Sequence, residues 1–177
     1  MHTLLCLSAL LPTIRRALSK LRAPVPDNPA GNCLYINHAV ATVLHNEGLR
    51  PIIQAGSLQW PIIPRDEDDG VSNSHFAYMW DPMHPHSIAA RAAGRLPEMH
   101  VWLALLDPPT LIDFSTRDLR VLAEASGLIW RSGDPPEFLW ATKEEMPDWV
   151  VYTPNRDATL YACMILKSLF DPTYLKR

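Results

Sequence analysis

Apolar positions change their spacing several times along the chain, and each change marks an element. Leu4, Leu7, Leu11, Ile14, Leu18 and Leu21 recur at alternating threes and fours, the stripe of an amphipathic helix. Arg15, Arg16, Lys20 and Arg22 gather toward its C-terminal half, where the helix dipole favours positive charge. Ala23-Pro24-Val25-Pro26-Asp27-Asn28-Pro29 stops this helix and makes a stiff connector. Leu34, Ile36, Ala39, Val40, Val43 and Leu44 then predict a second helix from about Asn32 to Asn46. Asn32 is its candidate N-cap and Gly48 its residue beyond the C-cap.

After Gly48 the reading turns to strands. Arg50 to Leu58 is a short apolar run, and His75 to Trp80 is an aromatic one. Glu98 to Leu106 and Thr110 to Phe114 flank Asp107-Pro108-Pro109, a hairpin-type turn. Phe138 to Thr142 and Trp149 to Thr153 are further strand candidates. Ser87 to Gly94 and Thr116 to Ala125 have helical composition. A last helix from near Asp157 to Phe170 offers Leu160, Met164, Leu166 and Leu169 for packing. Trp60 to Asn73 reads as a polar loop. Its acidic run Asp66-Glu67-Asp68-Asp69 lacks the alternating ligand spacing of a calcium loop and reads as solvated surface. Strands joined by hairpins rather than long helical crossovers imply an antiparallel sheet, so the expected class is α+β, in one domain spanning 1–177.

Composition narrows the partners. A net charge of -3 provides no basic footprint for nucleic acid. Three cysteines without short spacing make neither a disulfide framework nor a zinc knuckle, so a cytoplasmic setting is the simplest fit. Cys6 and Cys163 sit among apolar residues and read as buried thiols. No basic residue of a signal peptide precedes the apolar N-terminal run, which is also too short to span a bilayer; its helix is expected to pack on its own domain, not on a membrane.

Candidate chemistry centres on Pro29-Ala30-Gly31-Asn32-Cys33, where a Pro/Gly-rich loop runs into the second helix. A thiol in a first helical turn faces the positive end of the macrodipole, which stabilises thiolate; the alternative is a small packed residue. A cysteine nucleophile needs a base in reach and a group to orient that base. Among seven histidines, His2 and His45 look peripheral, and His38, five residues after Cys33, points about 140° away on the helix. His100 opens a strand. With a two-residue turn at Asp107-Pro108, Leu106 faces Pro109, and period two puts His100, Trp102 and Asp113 on one face. His100 and Asp113 are then diagonal neighbours at roughly 7–8 Å; a four-residue turn keeps them on one face but about two residues further apart. Asp113, between Ile112 and Phe114, needs a partner that an imidazolium supplies; alternatively it caps the following helix with Ser115 or Thr116, and His100 is a polar edge residue.

Cysteine at a helix start, then histidine opening a strand, then aspartate on the next strand resembles the papain-like cysteine enzymes. The transglutaminase-like and arylamine N-acetyltransferase-like branch is the nearest, through His100-Val101-Trp102 and Leu111-Ile112-Asp113-Phe114-Ser115-Thr116. The resemblance covers roughly residues 31–116. It implies a papain-like fold, with the Cys-bearing helix packed on an antiparallel sheet, and a Cys33-His100-Asp113 triad. It further implies acyl transfer on a small-molecule or peptide/protein amide, whether as hydrolase, deamidase or acyltransferase, with no cofactor and no metal. Two positions depart from the pattern. Asp27 stands six residues before Cys33, where papain-type chains have a glutamine oxyanion donor, and Gly31-Asn32-Cys33-Leu34 lacks the tryptophan of the transglutaminase motif. The Cys33 backbone N–H is one oxyanion donor; a second is not identified. Trp60, His75, Tyr78 and Trp102 are candidates for the substrate pocket, or else core aromatics. The rival readings are an inactive papain-like domain serving as a binding module, and a metal site from His75, His84, His86 and Cys33 or Asp113, which has no helical His-x-x-x-His pair behind it.

Overall fold

The computed structural model describes residues 7–21, 32–64 and 74–170. In order these form α1 (Leu7–Ser19), α2 (Asn32–Asn46), β1 (Ile52–Pro61), β2 (His75–Tyr78), α3 (Pro85–Ala92), β3 (His100–Leu106), β4 (Pro109–Asp113), α4 (Leu119–Ala125), β5 (Leu139–Thr142), β6 (Val151–Pro154) and α5 (Arg156–Phe170). A 3-10 turn, Thr116–Asp118, precedes α4. The class is α+β. The Pro24–Pro29 connector, the acidic run Asp66–Asp69, Leu4 and Cys6 lie outside the described residues. Among those described, no helix is long and apolar enough to cross a membrane.

The sheet is antiparallel, in the order β2-β1-β3-β4-β5, with β6 also paired to β1. Leu106 pairs with Pro109 around Asp107-Pro108, the register expected from a two-residue turn. Strand β1 runs past its expected end, because Leu58, Trp60 and Ile62 keep the alternation going and bury one after another. Helix α2 has the expected bounds. Gly48 adopts φ 83°, while its N–H reaches the His45 carbonyl and the Leu49 N–H reaches Leu44, a Schellman stop.

One sheet face, through Leu103 and Ile112, packs on α1 and α2: Leu10, Ile14, Ile36, Val40 and Leu44 close that core. Leu10 therefore centres the α1 stripe, and Leu21, expected within it, is exposed. A second cluster joins Cys33 and Leu34 to Val101, Ala158 and Ala162. In α5 the small residues Ala158 and Ala162 face the protein with Ile165 and Leu166. Leu160, Met164 and Leu169, expected to pack, are exposed, and so is Cys163. The reason is close approach: Thr159 Oγ1 accepts from Ala55 N at 3.0 Å, and the Asn155 backbone N–H donates to Ala55 O at 2.8 Å, which leaves no room for leucine between helix and strand.

Gly56 is the pivot of the sheet. It pairs with His100 of β3 and with Pro154 of β6. A Cβ there would overlap the Thr153 carbonyl oxygen and stand 3.0 Å from Asn155 N. We expect Gly56→Ala to cost about 1–3 kcal/mol through forced backbone displacement, measured as a lowered midpoint in urea denaturation. An unchanged midpoint would show that β6 shifts freely.

Candidate active site

Strands β3 and β4 are paired only as far as Leu103–Ile112. In that register Trp102 and Asp113 stand opposite next, then Val101 and Phe114, but here the strands part. The amide of Asn37, on α2 one turn after Cys33, fills the gap. Its Nδ2 donates to Val101 O at 2.8 Å, and its Oδ1 accepts from Phe114 N at 3.1 Å. One side chain thus satisfies the two backbone groups that the missing rung leaves open. Nδ2 is also within reach of Cys33 O at 3.1 Å and Asp113 Oδ1 at 3.2 Å. Asn37 is fully buried. Its place, four residues after Cys33 on the same helical face, was the available signal; the apolar pattern gave it no weight.

Parting the strands lets His100 and Asp113 meet. His100 Nε2 lies 2.6 Å from Asp113 Oδ2, with both side chains almost completely buried. Asp113 also accepts from Tyr152 Oη at 2.8 Å, Ser115 N at 2.9 Å and Ser115 Oγ at 2.6 Å. One carboxylate thus pairs with His100 and holds Ser115 locally, but it does not cap the following helix: the 3-10 turn has Ser115 at its N-cap and α4 has Asp118. Tyr152, on β6, is a second site residue that sequence reasoning missed; only the fold brings it across.

Burial opposes charge on both partners, and the pair overcomes it. Desolvation lowers the His100 pKa, but the Asp113 charge and hydrogen bond, with support from Cys33, raise it to about 10. Desolvation raises that of Asp113, but His100 and the Ser115 donors bring it down to about 2. The other imidazole nitrogen, Nδ1, is buried and has no directional hydrogen-bond partner among the described residues. With Nε2 committed to Asp113, Nδ1 is the nitrogen left for the Cys33 thiol. Cys33 and His100 share a narrow cleft with Tyr78, Ser115, Asp118, Leu119 and Leu122, no part of it wide enough for a water molecule. Asp118 also lines a neighbouring cavity of about 170 Å³ beside Asn32, Tyr35 and Arg117.

The four candidate pocket residues divide. Tyr78 lines the cleft, its ring stacked on His100 at 5.2 Å. Trp102 is buried at the back, 6.2 Å from the imidazole, its Nε1 donating to Gln54 Oε1 at 2.9 Å; it holds the ring in place rather than contacting solvent. Trp60 and His75 line a separate groove of about 510 Å³ that shares no lining residue with the Cys33 cleft. His84 caps α3 and His86 lies in its first turn. Among the described residues, no group of three or more His, Cys, Asp or Glu side chains is placed to hold a metal ion.

Two outcomes follow from this geometry. Asn37→Ala strands the Val101 carbonyl and the Phe114 N–H in the interior, so stability should drop by roughly 1–3 kcal/mol, read from chemical denaturation. The ion pair sets a pH window. The Asp113 contribution is complete above its ordinary 3.8 and is lost as pH falls through about 2. The His100 contribution is complete below 6.5 and is lost as pH rises through about 10. The stability difference between wild type and His100→Gln should therefore be largest between those ordinary values, 3.8 and 6.5, and shrink toward pH 10. A pH-independent difference would show that the pair is not charged.

No protein-family model, no curated protein and no solved structure matches this chain significantly.

Proposed function

We propose that this protein is a cysteine-dependent acyl-transfer enzyme of papain-like fold, akin to the transglutaminase-like and arylamine N-acetyltransferase-like branch. The observation that carries the reading is the order of groups in the buried site: Cys33 in the first turn of α2, then His100, then Asp113 on the far imidazole nitrogen. Asp113 orients the ring and stabilises its charged form. His100 carries the proton taken from the thiol, so that Cys33 faces an imidazolium as thiolate, and its sulfur attacks an amide or thioester carbonyl. The leaving group departs with the proton from His100, and water or an amine then resolves the acyl-enzyme. Small-molecule amides and peptide or protein amides both suit this chemistry, with no cofactor. The antiparallel sheet with α2 laid on one face supports the fold assignment. The second reading, a papain-like binding module, draws on the 510 Å³ groove lined by Trp60, His75 and Trp149, apart from the cysteine.

Iodoacetamide separates the two. At neutral pH, Cys33 should alkylate faster than the exposed Cys163, with the modified residue located by mass spectrometry. His100→Gln should slow Cys33 by roughly 10²-fold, the usual worth of a positioned base. Alkylation of Cys33 no faster than of Cys163, and indifferent to His100→Gln, would sink the enzyme reading.

A further inference from the structure

We propose that Tyr78 is the second oxyanion donor of the Cys33 site: its phenolic O–H binds the carbonyl oxygen of the acyl group under attack, alongside the Cys33 backbone N–H. The inference rests on Cys33 being the nucleophile, and elimination among the described groups lining the cleft leads to it. Ser115 Oγ is committed to Asp113 at 2.6 Å. Asp118, when ionised, only accepts hydrogen bonds. His100 is the base, and Leu119 and Leu122 are apolar. Among the described residues, the Tyr78 hydroxyl makes no hydrogen bond, although its ring is fixed by the stack on His100 and an edge contact with Phe76 at 5.1 Å. Asp27, at the position of the papain-type glutamine, is a carboxylate and cannot take the role when ionised.

The environment also keeps the phenol protonated. Burial, then the charges of Cys33 and Asp113, push its pKa up, so the group remains a donor throughout the working pH range. In the step itself, the Cys33 sulfur forms a bond to the carbonyl carbon and the C=O π pair moves onto oxygen. Tyr78 hydrogen-bonds that oxyanion without giving up its proton. Collapse restores the C=O, breaks the bond to the leaving group and hands that group the His100 proton. Preorganised donors aimed at the developing charge are worth most in a site without water.

The test compares two reactions of one thiol. Acylation by p-nitrophenyl acetate passes through an oxyanion; alkylation by iodoacetamide displaces iodide at a saturated carbon and does not. Tyr78→Phe keeps the ring stack and removes only the hydroxyl. We expect the nitrophenolate burst to slow by roughly 10²-fold, the usual worth of one such donor, with the alkylation rate and its pH profile unchanged. Wild-type burst kinetics in Tyr78→Phe would overturn the oxyanion role alone, as would a parallel loss of both reactions, which would make Tyr78 a positioning residue for His100. A wild-type Cys33 that takes up no acetyl group would overturn the nucleophile reading, and this inference with it.

Discussion

A carboxylate with no solvent exposure is costly to bury, and several elements around the site converge to satisfy it. Asp113 takes hydrogen bonds from His100 on β3, Asn37 on α2, Tyr152 on β6 and its own neighbour Ser115. An isolated ionised carboxylate would not persist in such a place; it would take up a proton. Here a buried imidazolium balances its charge and neutral donors fill the remaining lone pairs, the condition under which a buried ion pair is tolerated. Because the donors come from separate elements, satisfying Asp113 also fixes how α2 and β6 sit on the sheet. The site and the packing of these elements thus depend on the same contacts.

Two backbone features make that convergence possible. The β3–β4 ladder ends one pair early, and the Asn37 amide takes over the hydrogen bonds of the missing rung, so the splay exposes no unpaired N–H or C=O. At Gly56 the absence of a side chain lets β6 come against β1 closely enough for Tyr152 to reach Asp113. Trp102 and Tyr152 then meet edge to face at 5.1 Å and, with Tyr78, surround the imidazole with aromatic rings.

What could be read from the chain follows from which of these contacts are local. Helix α2 was legible to the residue and the β3–β4 hairpin to within two residues, because a 3.6 period with a glycine stop and a period of two about a tight turn are local signals. The His100–Asp113 pair followed from that hairpin register. Asn37 was not legible as part of the site, since a polar residue within an apolar helix looks the same whether it faces solvent or fills a gap in a sheet. Tyr152 lies 39 residues from Asp113 and reaches it only through the β1–β6 pairing. The burial of α5 ran against expectation for a related reason: hydrophobicity ranks leucine above alanine, but close packing on β1 selects for small size.

The second imidazole nitrogen bears on what the pair is for. A histidine recruited only to neutralise Asp113 would gain by giving Nδ1 a backbone carbonyl, and leaving a buried donor without one costs about 1–3 kcal/mol. Native structures keep few such groups, and the exceptions call for a reason. Here Nδ1 borders the same narrow cleft as Cys33, whose thiol supports the charged form of the ring. A Cys33 thiolate accepting from the imidazolium Nδ1–H would turn that deficit into a thiolate–imidazolium contact in a low-dielectric site, where such a contact is strongest. A structural ion pair gains nothing from this arrangement, whereas the proposed nucleophile would supply the missing partner.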